Sequence, residues 1–205
     1  MISEKEFYDA LASRLSKDTT DKLKSSTIGI AGLGGLGSNI AMLLARSGVG
    51  KLIIADFDTV ELSNIHRQSY PLDSVGMKKA AAIAKEIERI NPWCKVEQRN
   101  VKITKDNVSI FSDCDVVCEA FDNAEQKIML IESLSKMNKK IISGNGMAGI
   151  ASANSIITKK IGSDIYICGD GITDVKDNSL MPSRVTVCAA HQANAAIRVI
   201  LGLEP

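Results

Sequence analysis

The sequence lacks an excess of charge of either sign. Its 205 residues include 25 Lys and Arg and 24 Asp and Glu, which leaves a formal net charge of +1. A strongly basic chain would indicate nucleic acid or an anionic membrane surface as a partner. The balanced charge predicts neither, so we expect no nucleic-acid partner and no membrane partner.

Long hydrophobic runs are also missing. No apolar stretch approaches the ~20 residues that span a bilayer, and residues 1–6 are polar, without the apolar core of a signal peptide. We therefore expect a cytoplasmic protein.

The cysteines form neither a disulfide framework nor a zinc motif. There are five, an odd number, and no Cys-x-x-Cys pair occurs. In a cytoplasmic protein these features predict reduced thiols. Cys114 and Cys118 fall on a predicted strand, roughly 13 Å apart, which is too far for a shared tetrahedral ion. No zinc is expected.

What the sequence does contain is a regular alternation of apolar runs and amphipathic stretches. Hydrophobic residues make up 45% and charged residues 24%, as in one globular domain with a full core, which we expect to cover residues 1–205. The pattern predicts strands at 27–33, 51–57, 95–101, 115–121 and 140–143, and helices at 38–47, 75–90, 105–111 and 124–137. This order predicts an α/β fold with a doubly wound, mostly parallel, Rossmann-like sheet.

The two ends of the chain depart from this alternation. An N-terminal helix is predicted within residues 1–20, with helical periodicity over 2–16. After residue 146, two successive strands at 152–161 and 164–168 predict an antiparallel C-terminal extension. A polar crossover loop at 169–183 and a last helix at 184–201 complete the expected domain.

A glycine-rich turn joins the first predicted strand to its helix. Gly32 suits a tight turn, Gly34 lets the backbone approach a phosphate, and Gly37 lets the helix pack close to the strand. The N-terminus of the helix offers N–H groups and a positive dipole end to an anion. Such turns also occur for packing alone, but the strand before and the helix after this one predict a nucleotide site.

Acidic residues follow the second and fourth predicted strands. Asp56 can accept hydrogen bonds from both ribose hydroxyls, or it can be a cap or surface acid; Asp58 either joins it or shapes the loop. Asp122 can hold Mg²⁺, which prefers oxygen ligands and substrate phosphates. Asp122 and Asn123 also suit the N-cap of the next helix, and one can cap while the other binds metal.

A polar cluster lies between these acids. Residues 63–68 place Ser63, Asn64, Arg67 and Gln68 at the carboxyl edge of the sheet, where ligands bind. Arg67 supplies planar paired donors for phosphate, and Lys79 a compact point charge. Alone, each could be an ordinary surface charge, but beside the glycine turn they favour a triphosphate.

Five motifs in this order carry a family resemblance. They are Gly-x-Gly-Gly-x-Gly, Asp56-Phe57-Asp58-x-x-Glu61, Ser63-Asn64-x-x-Arg67-Gln68, Gly76-x-x-Lys79 and Asp122-Asn123. Together they resemble the ThiF/MoeB-type adenylyltransferase superfamily, which activates ubiquitin-like and sulfur-carrier proteins. Within it the chain is most similar to the short ThiF proteins of thiamine biosynthesis. The resemblance runs from about residue 20 to Gly202.

The resemblance implies a reaction and a set of roles. Such enzymes use ATP and Mg²⁺ to adenylate the C-terminal Gly-Gly carboxylate of a small β-grasp carrier protein, and they act as homodimers. By motif, Gly35 would lie against the phosphates and Asp56 would bind the ribose. Asn64, Arg67 and Lys79 would hold the triphosphate, and Asp122 would hold magnesium.

The sequence departs from relatives in several respects. The two zinc-binding Cys-x-x-Cys pairs of longer members are absent, which agrees with no zinc. Cys168 and Cys188 are candidates for a reactive thiol, although a buried apolar role fits both better. The family's arginine from the partner's N-terminal segment has only Arg14 as a candidate, at an unusual distance from the first strand.

Other functions stay open at this stage. Within the enzyme class, the acceptor could be a MoaD-like carrier or the carboxylate of a tRNA nucleoside. An NAD-dependent oxidoreductase would explain the glycine turn and Asp56, but it does not require Arg67 or Lys79. A non-catalytic carrier-binding module would not need these residues or Asp122.

Overall fold

The computed structural model describes residues 2–174 and 176–205, which form a seven-stranded sheet with helices on both faces. The strand order is β3-β2-β1-β4-β5-β7-β6. All neighbouring pairs are parallel except β6 and β7, which pair antiparallel. The predicted doubly wound, mostly parallel sheet with an antiparallel extension is confirmed.

The strands and helices have the following bounds. The strands are β1 (Thr27–Ala31), β2 (Lys51–Ala55), β3 (Lys95–Arg99), β4 (Val116–Glu119), β5 (Lys140–Gly144), β6 (Ile157–Ile161) and β7 (Ile165–Gly169). The helices are α1 (Glu4–Leu15), α2 (Lys17–Ser25), α3 (Gly35–Arg46), α4 (Lys79–Ile90), α5 (Ala124–Lys136) and α6 (Pro182–Ile200). Short 3₁₀ turns lie at Leu62–Asn64, Leu72–Ser74, Val108–Phe111 and Ala153–Ser155.

Side chains that alternate along the central strands divide the core into two layers. Ile28, Ile30 and Ile54 pack with the apolar faces of α3, α4 and α6 on one side of the sheet. Ile53 and Val117 pack with α5 and Phe111 on the other. Because both faces are covered, the central strands are continuously apolar, as expected for a buried parallel sheet.

The N-terminal helix prediction was wrong in one respect: two helices replace the one expected within 1–20. Ser16 has a φ of 81° and ends α1 while its side chain caps α2. Only Thr20 and Leu23 of α2 are buried, so the helix has no apolar periodicity to reveal it. Ion pairs four residues apart, such as Lys22–Asp18 at 2.9 Å, support it instead.

Other predictions also differ from the structure, and the short helix expected at 105–111 is only a 3₁₀ turn at Val108–Phe111. The strand expected at 152–161 begins only at Ile157, because residues Ala153–Ser155 form a 3₁₀ turn capped by the Ser152 side chain. The helix expected at 75–90 begins at Lys79, because Gly76 has a φ of 90° and Lys78 is extended. This later start moves Lys79 to the end of the helix that faces the ligand edge of the sheet.

Among the described residues, no helix has both the length and the apolar content required to cross a bilayer.

The first turn of α3 approaches the end of β1 too closely for any side chain at residue 37. A Cβ at Gly37 would lie 1.8 Å from the Gly32 carbonyl oxygen. Backbone cannot move aside as a flexible side chain can, so one of the two elements would have to shift.

We therefore predict that Gly37→Ala destabilises the protein by about 3 kcal/mol or more, although Gly→Ala within a helix ordinarily stabilises by about 1 kcal/mol. Urea unfolding measures the change. Gly34→Ala is the matched control, because a Cβ there meets no atom within 4 Å. Equal stability of both variants would contradict this packing.

Candidate nucleotide-binding site

A cleft of about 850 Å³ opens at the carboxyl ends of β1, β2, β4 and β5. This is the edge where ligands bind in doubly wound sheets, and the connections diverge between β1 and β4. The cleft brings together most of the residues expected from the sequence, namely Gly32, Gly34, Gly35, Asp56, Asp58, Asn64, Arg67, Gln68, Lys79, Asp122 and Asn123.

The glycine turn presents bare backbone to this cleft. Gly32 has a φ of 89°, and a Cβ there would lie 2.9 Å from the Ala120 carbonyl oxygen. Gly34 faces open space, and Gly35 begins α3. Helix α3 has neither a side-chain N-cap nor an acidic residue in its first turn. Its N-terminus therefore keeps its positive dipole end for an anion.

Asp56 ties the glycine turn to the end of β2. The side chain is buried, one oxygen accepts the Leu33 N–H at 2.6 Å, and the other accepts the Asp58 N–H at 2.8 Å. A carboxylate offers about four acceptor positions, so each oxygen retains capacity for a further donor. The residue fixes the loop, and its contact with a ribose stays a prediction.

Arg67 lies directly beside the glycine turn. A Cβ at Gly35 would be 3.6 Å from its Cγ, and its guanidinium donates to the Ser63 carbonyl at 3.2 Å. Asn39 of α3 donates to the Arg67 carbonyl at 3.0 Å and so holds the backbone in place. The aliphatic part of the Arg67 side chain thus lies next to the helix N-terminus.

Further bonds dock the segment after Arg67 onto α3. Ser69 donates to the Asn39 side chain at 2.8 Å, and its N–H donates to Ser38 at 3.1 Å. Tyr70 donates to the Leu33 carbonyl at 2.8 Å. Burial, and then the nearby Asp56 and Asp58 charges, raise the pKa of Tyr70 strongly, so it stays a neutral donor. Sequence analysis missed all these anchors, although Ser38 and Asn39 were polar exceptions in an apolar helix.

Lys79 is a buried cation at the first residue of α4. Its ammonium pairs with Asp58 at 2.8 Å, and its N–H donates to the Asp58 carbonyl at 3.0 Å. A cation at a helix N-terminus opposes the dipole, which favours anions there. Lysine and helix N-terminus together place positive charge on this wall, beside the carboxylates of Asp56, Asp58 and Glu61. Asp58, half exposed, balances only part of that charge.

Asp122 and Asn123 have different local roles. The Asn123 side chain accepts the Gln126 N–H at 3.0 Å and caps α5. Asp122 is exposed at the cleft. As a hard oxygen donor it fits Mg²⁺, which completes its coordination with waters and substrate phosphates. Within 2–174 and 176–205, no cluster of three or more His, Cys, Asp or Glu forms a ready-made metal site.

Gln68 carries an unusual unsatisfied group. The side chain lines the cleft and is buried, yet its Oε1 has no hydrogen-bond partner among the described residues. Buried polar atoms are almost always paired, so each exception needs an explanation.

A buried charged group beneath the cleft escaped the sequence analysis. Glu119 is fully buried at the end of β4 and pairs with Lys127 of α5. Its carboxylate also accepts from Ser143 at 2.6 Å and from the Phe121 N–H at 2.7 Å. Lys127 additionally donates to the Gly144 carbonyl at 2.9 Å. A charged residue within an apolar strand was the available signal.

A second buried ion pair, also missed, lies near the other end of the cleft. Arg184 and Asp170 are 2.6 Å apart and almost fully buried. The Arg184 guanidinium also donates to the Ala151 and Ser152 carbonyls. Burial would raise the pKa of Asp170, but N–H bonds from Thr173 and Ile172 and the Arg184 charge outweigh it and lower the pKa.

Three predicted site residues do not line the cleft. Gly37 acts through packing, and Ser63 contributes its carbonyl to Arg67 and His66. Arg14 lies in the exposed last turn of α1. Any contact between Arg14 and a nucleotide would therefore need a second copy of the chain.

The two cysteines considered as reactive thiols are buried. Cys168 lies in β7, beside the Thr158 hydroxyl at 3.4 Å, and burial raises the pKa of its thiol to about 11. Cys188 donates to the Cys168 carbonyl at 3.3 Å, and burial raises its pKa to about 12. Reactive thiols have lowered pKa values and some exposure. Neither thiol meets these conditions.

The sequence is similar to those of known adenylyltransferases and related enzymes. The chain is 38% identical over 129 residues to molybdopterin-synthase adenylyltransferase of Haemophilus influenzae, covering 62% of the chain and 53% of that protein. It is 36% identical over 137 residues to tRNA threonylcarbamoyladenosine dehydratase of Bacillus subtilis, covering 65% and 54%. The chain thus spans about half the length of these curated relatives.

The fold has close counterparts among solved structures. Escherichia coli tRNA N6-threonylcarbamoyladenosine dehydratase, solved with AMP, superposes with a TM-score of 0.88 at 21% identity, over 98% of each chain. The ThiF family matches residues 8–205, nearly the whole chain. Fold, motif order and this match agree with the resemblance expected from the sequence, and the chain belongs to the ThiF family.

Proposed function

We propose that this protein is an ATP- and Mg²⁺-dependent adenylyltransferase. It activates the C-terminal Gly-Gly carboxylate of a small β-grasp sulfur-carrier protein and releases pyrophosphate. One observation carries the proposal: the uncapped N-terminus of α3, Arg67 and Lys79 converge on one side of a cleft that Asp122 faces. Because the chain belongs to the ThiF family, adenylation is the reaction that best explains this arrangement.

The chemistry follows from charge. A terminal carboxylate is ionised at neutral pH, so it attacks without a general base. Its oxygen forms a bond to the α-phosphorus, the bond from that phosphorus to the bridging oxygen breaks, and pyrophosphate leaves with the electron pair. The obstacle is the approach of an anion to a polyanion.

The residues of the cleft address that obstacle directly. The backbone N–H groups at the start of α3, Arg67 and Lys79 would offset the phosphate charge and stabilise the leaving pyrophosphate. Mg²⁺ held by Asp122 would add charge neutralisation at the phosphates. Preorganised donors cost no reorganisation during the reaction, which is why the anchoring of Arg67 by Asn39 matters.

The end of the cleft beside β5 and β7 is where we place the carboxylate acceptor, and it favours a peptide carboxylate. Its walls include Gly144, Gly146, Met147 and Ile167, with Asp174 at the edge. Lys127, the cation on this side, is paired with Glu119. Glycines leave room for a thin extended chain, and a polyanionic acceptor would find little positive charge here.

The identity of the carrier rests on the resemblance to short ThiF proteins. We propose a ThiS-like carrier and a role in thiazole assembly for thiamine. A MoaD-like carrier is the nearest variant, since a relative is named a molybdopterin-synthase adenylyltransferase.

The second candidate function is activation of a tRNA-nucleoside carboxylate. The likeness to tRNA threonylcarbamoyladenosine dehydratases favours it. The balanced net charge of +1 and the acidic edge of the cleft speak against a nucleic-acid acceptor. An oxidoreductase or a non-catalytic module would leave the cluster of Arg67, Lys79 and Asp122 unexplained.

ATP–pyrophosphate exchange tests the function. The wild type should catalyse exchange only when a carrier ending in Gly-Gly is present. Asp122→Asn should lower exchange by about 100-fold or more, because one preorganised electrostatic contact is worth that much in the transition state. Asp106→Asn, exposed and outside the cleft, is the matched control.

The tRNA alternative has its own arm in the same assay. Exchange that depends on threonylcarbamoyl-tRNA and not on any Gly-Gly carrier would replace the proposal by the second candidate. If neither acceptor supports exchange, adenylation of both acceptor classes is refuted.

We also propose that the protein acts as a homodimer in which Arg14 contacts the triphosphate at the partner's cleft. Arg14 is exposed and remote from the cleft of its own chain, which is what a contribution from a partner requires.

Mixing two inactive variants tests this contribution. If Arg14→Ala and Asp122→Ala are each inactive, random mixing should restore about a quarter of the sites, since half of the dimers are mixed and each has one intact site. The control combines the two variants under conditions in which their subunits do not exchange, and it should stay inactive. Failure to regain activity, with mixed dimers shown by mass spectrometry, would remove Arg14 from the mechanism.

Sulfur transfer by a thiol of this chain is not part of the proposal. Burial raises the pKa of Cys168 to about 11, so its thiol stays protonated at pH 8. We predict that iodoacetamide modifies native Cys168 at least ~100-fold more slowly than the unfolded chain, and that Cys168→Ala retains carrier adenylation. Rapid labelling of the native protein, followed by loss of exchange, would contradict the buried, structural role.

A further inference from the structure

The β5–β7 side of the cleft is closed by two chain segments that follow different strands. Residues 145–148 follow β5, and residues 170–174 follow β7; we call these two segments the end wall. Both contribute lining residues to the cleft, including Met147 and Thr173. The glycine turn, Arg67 and Lys79, on the predicted triphosphate side, belong to other elements of the fold.

The two segments of the end wall interlock through backbone. The Asp170 N–H donates to the Gly146 carbonyl at 2.8 Å, and the Gly171 N–H donates to the Asn145 carbonyl at 3.0 Å. A Cβ at Gly169 would lie 1.8 Å from the Asn145 oxygen, and one at Gly146 would lie 2.1 Å from Asp170 Oδ1. Glycine is needed on both sides because the chains meet without space for side chains.

One buried guanidinium holds this arrangement to the last helix. Arg184, in the first turn of α6, donates to Asp170 at 2.6 Å and to the carbonyls of Ala151 and Ser152 at 2.7 Å and 2.6 Å. Asp170 in turn accepts the N–H groups of Ile172 and Thr173, each at 2.9 Å. The ion pair therefore connects the segment after β5, the segment after β7 and α6.

The burial of the Asp170–Arg184 pair indicates a positioning role more than a stabilising one. Replacing a buried ion pair by apolar residues is often neutral or stabilising, so the pair is weak evidence for a stability role. Its geometry instead fixes three backbone segments at once, through the planar fork that only arginine provides. The Arg184 Nε has no partner among the described residues, so the position is set by the other contacts.

We propose that Asp170 and Arg184 are positioning residues that set the shape of the acceptor end of the cleft. They would govern binding of the carboxylate acceptor and leave ATP binding unaffected. This rests on the proposed adenylation, because the acceptor must reach the α-phosphate from the side opposite the triphosphate cations. A shift of the end wall by about 1 Å would misalign the attacking carboxylate oxygen with the α-phosphorus.

Two conservative variants test the proposal. Arg184→Lys keeps the charge but loses the fork, and Asp170→Asn keeps the shape and the acceptor for Ile172 and Thr173 but loses the charge. The matched control is Glu97→Gln, which breaks the partly buried Lys51–Glu97 pair between β2 and β3, away from the cleft.

Three measurements are made on each protein: the Kd for ATP with Mg²⁺ by calorimetry, KM and kcat in carrier-dependent exchange, and hydrogen–deuterium exchange along the chain. We expect KM for the carrier to rise about tenfold in both variants, with Kd for ATP within about twofold of wild type. Faster deuterium exchange should be confined to residues 145–152 and 170–174. The control should match wild type throughout.

Two results would overturn the proposal. One is an equal loss of ATP affinity and carrier affinity, which would mean a general loss of structure. The other is an unchanged KM despite a loosened end wall. If the wild type uses no Gly-Gly carrier, the proposed function fails, and deuterium exchange then tests only whether Asp170 and Arg184 hold the end wall. Loosening confined to the two segments supports that role, and global or absent loosening refutes it.

Discussion

The close contact between the first turn of α3 and the end of β1 is the constraint on which the site depends. Gly37 lies against the Gly32 carbonyl, at a separation that no side chain at residue 37 permits. This contact points the N-terminus of α3 into the cleft. Asp56 then bonds the Leu33 N–H, and Tyr70 bonds the Leu33 carbonyl. The glycine turn is thus held from both sides before any ligand arrives.

The charges of the cleft are separated in a way that suits a polyanion. On the β1–β2 side, Arg67 has hydrogen bonds to the Ser63 carbonyl and no carboxylate partner among the described residues. Lys79 forms an ion pair with Asp58, whose side chain is half exposed. On the β4–β5 side, by contrast, Lys127 is neutralised by the fully buried Glu119. The cation without a carboxylate partner, Arg67, therefore lies on the predicted triphosphate side, although Asp56, Asp58 and Glu61 also line the cleft there.

The fold and the near side of the cleft were predictable because their signals are local. Apolar runs marked the central strands, Asp122 follows β4 closely, and Arg67 and Lys79 lie in the connection from β2 to β3. What failed was structure without an apolar pattern: α2 is polar over most of its surface, and Ser16 breaks the helix with a positive φ. Helix α4 was given too early a start, because Gly76 and the extended Lys78 do not interrupt its periodicity.

The far side of the cleft could not be predicted for a different reason. Asp170 and Arg184 are 14 residues apart in sequence, and Arg184 also donates to carbonyls more than 30 residues away. Glu119 and Lys127 meet through the packing of α5 on the sheet, and Asn39 reaches Arg67 across 28 residues. Contacts of this kind are created by tertiary structure, and a single sequence carries no periodic signal for them.

The central claim is that the bound nucleotide reacts at its α-phosphorus with a carboxylate. Phosphorus NMR of the products tests it most directly, with the wild-type protein, ATP, Mg²⁺, pyrophosphatase-free conditions and a Gly-Gly-terminated carrier. The account predicts pyrophosphate and carrier-bound AMP in equal amounts, formed only when the carrier is present. ADP with inorganic phosphate, or consumption of ATP that is independent of any carboxylate acceptor, would contradict it.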